Sequence, residues 1–195
     1  MKVYEWKLKS GCEALGLDHE KSAGNRDFEE LREGIVSNLI DHALTVQEME
    51  KRNLAVAPEK LAEVETKEIK RMGDEQAFNA YLAKYNLSRD EYREILKGAL
   101  TEEVLRDDMS KDLVFTSEEI KAYYDAHANE LNTSPEKKDR ITLDQAAPEI
   151  TRRLREEKGK RLLDEWLKQA RKIADVKLNE NYRFGKLKSE FPIQD

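Results

Sequence analysis

The sequence predicts an all-α chain of about six helices with little sheet, and three observations carry that reading. Apolar residues recur at three- and four-residue spacing through long stretches of the chain. Three Ser/Thr-x-x-Glu/Gln capping boxes, at Ser88/Glu91, Thr116/Glu119 and Thr142/Gln145, stand just before such stretches. Charged residues make up 39% of the 195 residues against 38% apolar ones, with the signs evenly mixed, as long helices with solvated outer faces require. The length suits one domain, or one domain with an appendage, and is enough to bury a core.

In chain order, Leu31, Ile35, Leu39, Ala43, Val46 and Met49 share one helical face, widened by Phe28, Val36 and Ile40, so a helix runs from about Asp27 to Lys51. Asn53 to Val56 break it. Pro58 suits the first turn of the next helix, where a missing N–H loses no bond, and that helix carries Leu61, Val64, Ile69 and Met72 before ending at Gly73. A short helix follows with Phe78, Tyr81, Leu82 and Tyr85 on one face and Asn86 as a left-handed cap.

The Ser88/Glu91 box then opens a helix with Tyr92, Ile95, Leu96, Ala99, Leu100, Leu105 and Met109, and Thr116/Glu119 opens one with Ile120, Tyr123, Tyr124 and His127. The apolar-free, turn-rich residues 132–140 form an exposed linker. Thr142/Gln145 starts a final long helix whose stripe is Ile150, Leu154, Leu162, Leu163, Trp166, Leu167, Ala170 and Ile173; Trp166 is expected as its core anchor, and Gly159 marks close packing or a bend.

The chain ends fit this pattern less well. Val3-Tyr4-Glu5-Trp6-Lys7-Leu8 and Val176-Lys177-Leu178 both alternate like half-buried strands, and together would make a small two-stranded antiparallel ribbon joining the chain ends; a helix over residues 3–15 is the competing reading. The domain reading is therefore an N-terminal segment at 1–25 with a strand as one alternative, a single helical domain at 26–178, and a tail at 179–195.

Function classes narrow by exclusion. The net charge of -6, with no basic block, makes nucleic acid a poor partner. No apolar run reaches membrane-spanning length, and Lys2, Glu5 and Lys7 occupy the place where a signal peptide needs its apolar stretch, so the chain is either cytoplasmic or has lost an export signal. Ser10-Gly11-Cys12 has the look of a lipoprotein processing site, but Lys9 and the missing apolar run argue against it, leaving Cys12 an ordinary free thiol.

No residues converge on a chemistry. His19, His42 and His127 are scattered, with no second histidine or cysteine one turn away, which excludes a zinc pattern. Phosphate loops and nucleophile elbows are absent, and the acidic pairs Glu29-Glu30, Glu102-Glu103 and Asp107-Asp108 are adjacent in sequence and so point apart on a helix. The chain reads as a protein without metal, cofactor or catalytic residues. It does offer large adaptable groups. Methionines repack around varied shapes, and tyrosines pair an apolar body with a polar tip, so a surface lined by them can hold many sequences weakly. On that ground Met72, Tyr81, Tyr85 and Met109 are the expected peptide-binding residues, although the same spacing also fits a core.

Several stretches carry a family resemblance. Leu31 to Leu44, Glu48 to Lys51 and Val56-Ala-Pro-Glu-Lys-Leu61 resemble the long helix and next helix start of the SurA-type N-terminal domain found in SurA, PpiD and PrsA relatives. Phe78 to Leu96 is similar to that family's short helix, turn and long helix, and Thr116 to Asp125 to the helix that leads into a parvulin prolyl-isomerase domain. Residues 141–150 and 164–178 look like the helix and strand that follow the parvulin insertion, while residues 132–140 are too short to supply that domain.

The resemblance implies a periplasmic or otherwise extracytoplasmic, ATP-independent chaperone that holds unfolded or partly folded client proteins, without the isomerase activity. A helical adaptor binding one dedicated partner, or an oligomerisation module, is the rival reading, a prolyl isomerase a third, and a homodimer is left open.

Overall fold

The computed structural model describes residues 2–131 and 141–176, and it contains seven helices and no strand among them. These are α1 (Lys2–Ala14), α2 (Arg26–Lys51), α3 (Pro58–Met72), α4 (Glu75–Lys84), α5 (Arg89–Ser110), α6 (Ser117–Leu131) and α7 (Leu143–Ile173). The linker at 132–140, the tail at 179–195 and two residues of the expected second strand, Lys177 and Leu178, lie outside the described residues.

α1 is the helix beyond the expected six, and it corrects the ribbon: Val3 to Leu8 are helical, as the competing reading had it. The strand-like alternation at 4, 6 and 8 coincides with a helical stripe at Tyr4, Leu8 and Cys12, one turn apart. Tyr4 and Leu8 pack on Ile35, Val36, Leu31, Leu39 and Ile40 of α2, and burial of that stripe decides for helix. The two helices approach closely at Gly11, where a Cβ would fall 2.8 Å from a methyl of Leu31.

The helix ends follow their local chemistry. The Ser88 and Thr116 amides donate to Glu91 and Glu119 at 2.8 and 2.9 Å, and the two hydroxyls accept in return from the Glu91 and Glu119 amides at 3.2 Å. Thr142 and Gln145 repeat the arrangement at 3.0 and 3.4 Å. Asn25 caps α2, its side-chain oxygen accepting from the Asp27 and Phe28 amides. Pro58 opens α3, and Gly73 closes it at φ 119°, a conformation that suits glycine. Asn86 takes φ 52° after α4.

The described residues divide into two compact units, residues 2–105 with 167–176, and residues 106–131 with 141–166. In the first, Phe78, Leu82, Leu87, Tyr92 and Leu96 form the main buried cluster, with Leu61, Val64, Ile69 and Met72 of α3 against it. His42 of α2 lies over Gly98 of α5, where a Cβ would come within 3.1 Å of the imidazole, and its Nδ1 is 3.2 Å from the Thr101 hydroxyl. Arg171, near the end of α7, pairs with Asp41 and donates to the Ser37 hydroxyl at 2.8 Å.

In the second unit Ala146, Ile150 and Leu163 are buried. Gly159 is a close-packing position: a Cβ there would lie 3.0 Å from both Arg106 and Ser110 side-chain atoms. The Lys158 ammonium pairs with Glu119 at 2.8 Å and stands 4.8 Å from the centre of the Phe115 ring.

The α7 stripe is narrower than the sequence suggests. Leu162 is 37% exposed and Ile173 is 87% exposed, while Trp166 is half-buried and so not a full core anchor. Leu162 and Leu163 stand about 100° apart around the helix, so one face takes only one of them. No helix among the described residues is long and apolar enough to cross a membrane.

Burial sets a test of this core. Phe78, at 0% exposure, should cost about 3–5 kcal/mol when truncated to alanine, whereas Ile173→Ala should change stability by less than about 0.5 kcal/mol. Denaturant titration of the two variants measures the contrast, and equal losses would refute the placement of α7's end.

Candidate functional site

The first unit presents an aromatic wall built by α4 and α5. Asp74 caps α4, accepting from the Ala77 amide at 2.8 Å, and so fixes the face that carries Phe78 and Tyr81. α5 brings Tyr92 against them. Ring centroids are 5.3 Å apart for Phe78–Tyr92, 6.0 Å for Tyr81–Tyr92 and 4.9 Å for Tyr81–Tyr85, the edge and tilted geometries that aromatic quadrupoles favour. Met72 packs against the same cluster.

Three of the four residues expected to bind peptide, Met72, Tyr81 and Tyr85, thus come together, each half-buried. Met109, also half-buried, belongs to the second unit. The polar tips of the two tyrosines reach α1. Trp6 Nε1 donates to the Tyr81 hydroxyl at 2.9 Å, and the Tyr85 hydroxyl donates to Glu13 at 2.7 Å. The Lys84 ammonium reaches the same Glu13 oxygen at 2.7 Å. Burial, and then the hydrogen bond to Glu13, push the Tyr85 phenol up; burial first and the Glu68 carboxylate next push that of Tyr92 to about 12.

Beside this wall lies an open cleft of about 730 Å³ with Val3, Leu61, Leu87 and Ile95 on its apolar lining. Lys2 and Glu91 stand at its edge, joined at 2.6 Å. Sequence reasoning missed this cleft, because its lining comes from α1, α3, α5 and the α4–α5 connection, and no spacing in the sequence joins those four places.

The arrangement can hold apolar and aromatic side chains and offer phenol and carboxylate partners at their margins. Among the described residues no three His, Cys, Asp or Glu side chains gather where a metal ion could sit. Cys12 is buried, its thiol pushed up by burial and then by Asp18. His127 stacks on Tyr123 at 4.0 Å.

Residues 13–106 match the SurA-like N-terminal domain. The matched stretch takes in α2, α3, α4 and most of α5, hence the aromatic wall and three of the four lining residues named above. Foldase protein PrsA of Clostridium perfringens (strain SM101 / Type A) is 28% identical over 97 residues, 48% of this chain. The chain spans 28% of that protein's length. No solved structure matches.

Within the matched stretch a buried carboxylate joins α3 to α5. Glu65 is 5% exposed and accepts from Arg89 at 2.6 Å and Arg93 at 3.0 Å, and the Arg89 guanidinium lies 5.5 Å from the centre of the Phe78 ring. Burial alone would raise the Glu65 pKa; the two guanidinium hydrogen bonds outweigh it and hold the carboxyl below its usual range. A lowered folded pKa adds stability that is complete above the unfolded value, near 4.3, and disappears as pH falls through the folded value. Glu65→Gln should therefore be less stable than the parent at pH 7, with the gap closing on acidification below about pH 4. Denaturant midpoints from pH 7 to pH 3 measure it, and a gap constant across that range would disprove the coupling.

Proposed function

We propose that this chain is an ATP-independent chaperone module that holds unfolded or partly folded polypeptide in an extracytoplasmic compartment. The match of residues 13–106 to the SurA-like N-terminal domain carries the reading, and a relative named as a foldase agrees with it. The open cleft and the aromatic wall supply the physical means. Met72, Tyr81 and Tyr85 are the proposed contact residues in the first unit, with Met109 as a separate contact in the second.

The expected strength follows from burial. An apolar side chain moved from water into such a surface gains about 1.5–3 kcal/mol, so two of them give at best an affinity of roughly millimolar order, from which the cost of association subtracts. Weak and replaceable contact is what a holdase needs, since it must release its client without spending nucleotide. Broad selectivity follows from side chains that repack, such as Met72, and from phenols that accept apolar and polar neighbours alike.

The test is aggregation of a chemically unfolded client, followed by light scattering with the protein in stoichiometric amount, a chelator present and no nucleotide. Scattering should fall, for unrelated clients alike. No protection at a tenfold excess would overturn the reading, and tight binding of one partner with indifference to unfolded protein would favour the adaptor in its place. A proline-isomerisation assay on the same preparation should match a heat-inactivated control.

A further inference from the structure

We propose that the α4–α5 aromatic wall is a docking surface for an amphipathic helical segment with an aromatic anchor, and that α1 is its resident ligand, which a client must displace. The inference rests on the holdase reading and names both the site and the class of client segment.

α1 is used on two opposite sides. Tyr4, Leu8 and Gly11 face α2, while Trp6, Lys2 and Glu13, about half a turn round the helix, face the wall. Trp6 is the anchor: its indole stands edge-on to Tyr92 at 6.5 Å and gives its N–H to Tyr81. Charge fixes the direction, with Lys2 at the start of α1 on Glu91 and Glu13 at its end on Lys84. A segment that replaces α1 therefore needs a tryptophan or tyrosine in its middle, a cation toward its N-terminus and a carboxylate two to three turns later.

The hold on the wall is the weak one. Glu13 and Lys84 are half exposed, as is Lys2, and exposed ion pairs contribute little. α1 has no basic residue in its last turn, and a lone helix of its length is marginal in water. Its connection to α2, residues 15–25, is largely exposed and contains Gly16 at φ 68° and Gly24 at φ 84°. The surface it covers lies inside the SurA-like match, while residues 2–12 precede that match. Val3 and Lys2 also stand at one side of the open cleft, so a segment entering the cleft meets α1 first.

The test uses the full chain and, as probe, a labelled synthetic peptide of residues 2–14 with serine at the cysteine position, followed by fluorescence anisotropy. Trp6→Ala takes the anchor from α1 and leaves the wall intact; apparent affinity for the probe should rise at least fivefold, as the fraction of open wall rises. Glu13→Gln, at a half-exposed position, carries little risk to folding and should give a rise of roughly two- to fivefold. Cysteines introduced as E13C and K84C and bridged by a bis-maleimide should abolish probe binding.

In a Trp166→Phe background, Trp6 is the sole tryptophan, and an unfolded client should shift its emission to longer wavelength. The proposal is overturned if the bridged protein binds the probe like the parent, or if both α1 variants leave probe affinity unchanged. Client protection that survives bridging, with no shift in Trp6 emission, overturns it while leaving the holdase reading intact. Probe binding that responds as expected, without client protection in any form, removes the holdase reading and keeps the docking surface.

Discussion

The first unit is organised around the Tyr92 ring. It is buried on α5 and stands edge-on to Phe78 and Tyr81 of α4 and Trp6 of α1, while the Glu68 carboxylate of α3 is near enough to help push its phenol up. Edge-to-face pairs add about 0.5–1.5 kcal/mol each beyond burial, so three helices are positioned by one side chain. The wall, the cleft beside it and the seat of α1 all follow from where that ring stands.

Charge plays two different parts around this centre. Many ion pairs among the described residues join residues three or four apart on one helix, such as Arg26–Glu30 and Lys67–Glu63, and they chiefly keep long helices solvated. Glu65 is of another kind, since it is buried and its two arginines come from a different helix. Removing the carboxylate strands no buried cation, because both arginines are well exposed, yet it takes away two ion pairs between α3 and α5. Arg171 plays the comparable part for α7, reaching Asp41 and Ser37 on α2.

What the sequence made legible was what is local. A capping box is complete within four residues, and all three appear with both hydrogen bonds formed. The long stripes of α2 and α5 were likewise readable, since their period repeats over several turns. Asp74 was not, because it caps α4 from one side only, with no Glu or Gln three residues on to complete a box. α1 was ambiguous for a physical reason: apolar residues at 4, 6 and 8 satisfy a period of two, and those at 4, 8 and 12 satisfy a helical one. Packing on α2 settles it. In α7 adjacent leucines made the stripe look wider than a single face can be. Met72, Tyr81 and Tyr85 were selected by chemistry and meet in one cluster, but the partner that holds two of them, α1, lay in the segment read least well.

That partnership explains how one set of tyrosines can belong both to a core and to a surface. Their rings are held by Phe78, Tyr92 and Leu82, which are buried in the cluster of α4 and α5. Their hydroxyls, by contrast, lie at the margin, where Trp6 and Glu13 reach them across a boundary that is largely wet. A hydrogen bond exchanged there for one to water changes the free energy by only about 0.5–1.5 kcal/mol, against several for opening the cluster beneath. Stability and binding are therefore separated by depth within the same side chains: the ring fixes the wall, and the hydroxyl meets whatever lies on it. When another segment takes the place of α1, the contact of the buried cluster that changes is the edge of Trp6 on Tyr92, and an aromatic anchor in the incoming segment would restore it.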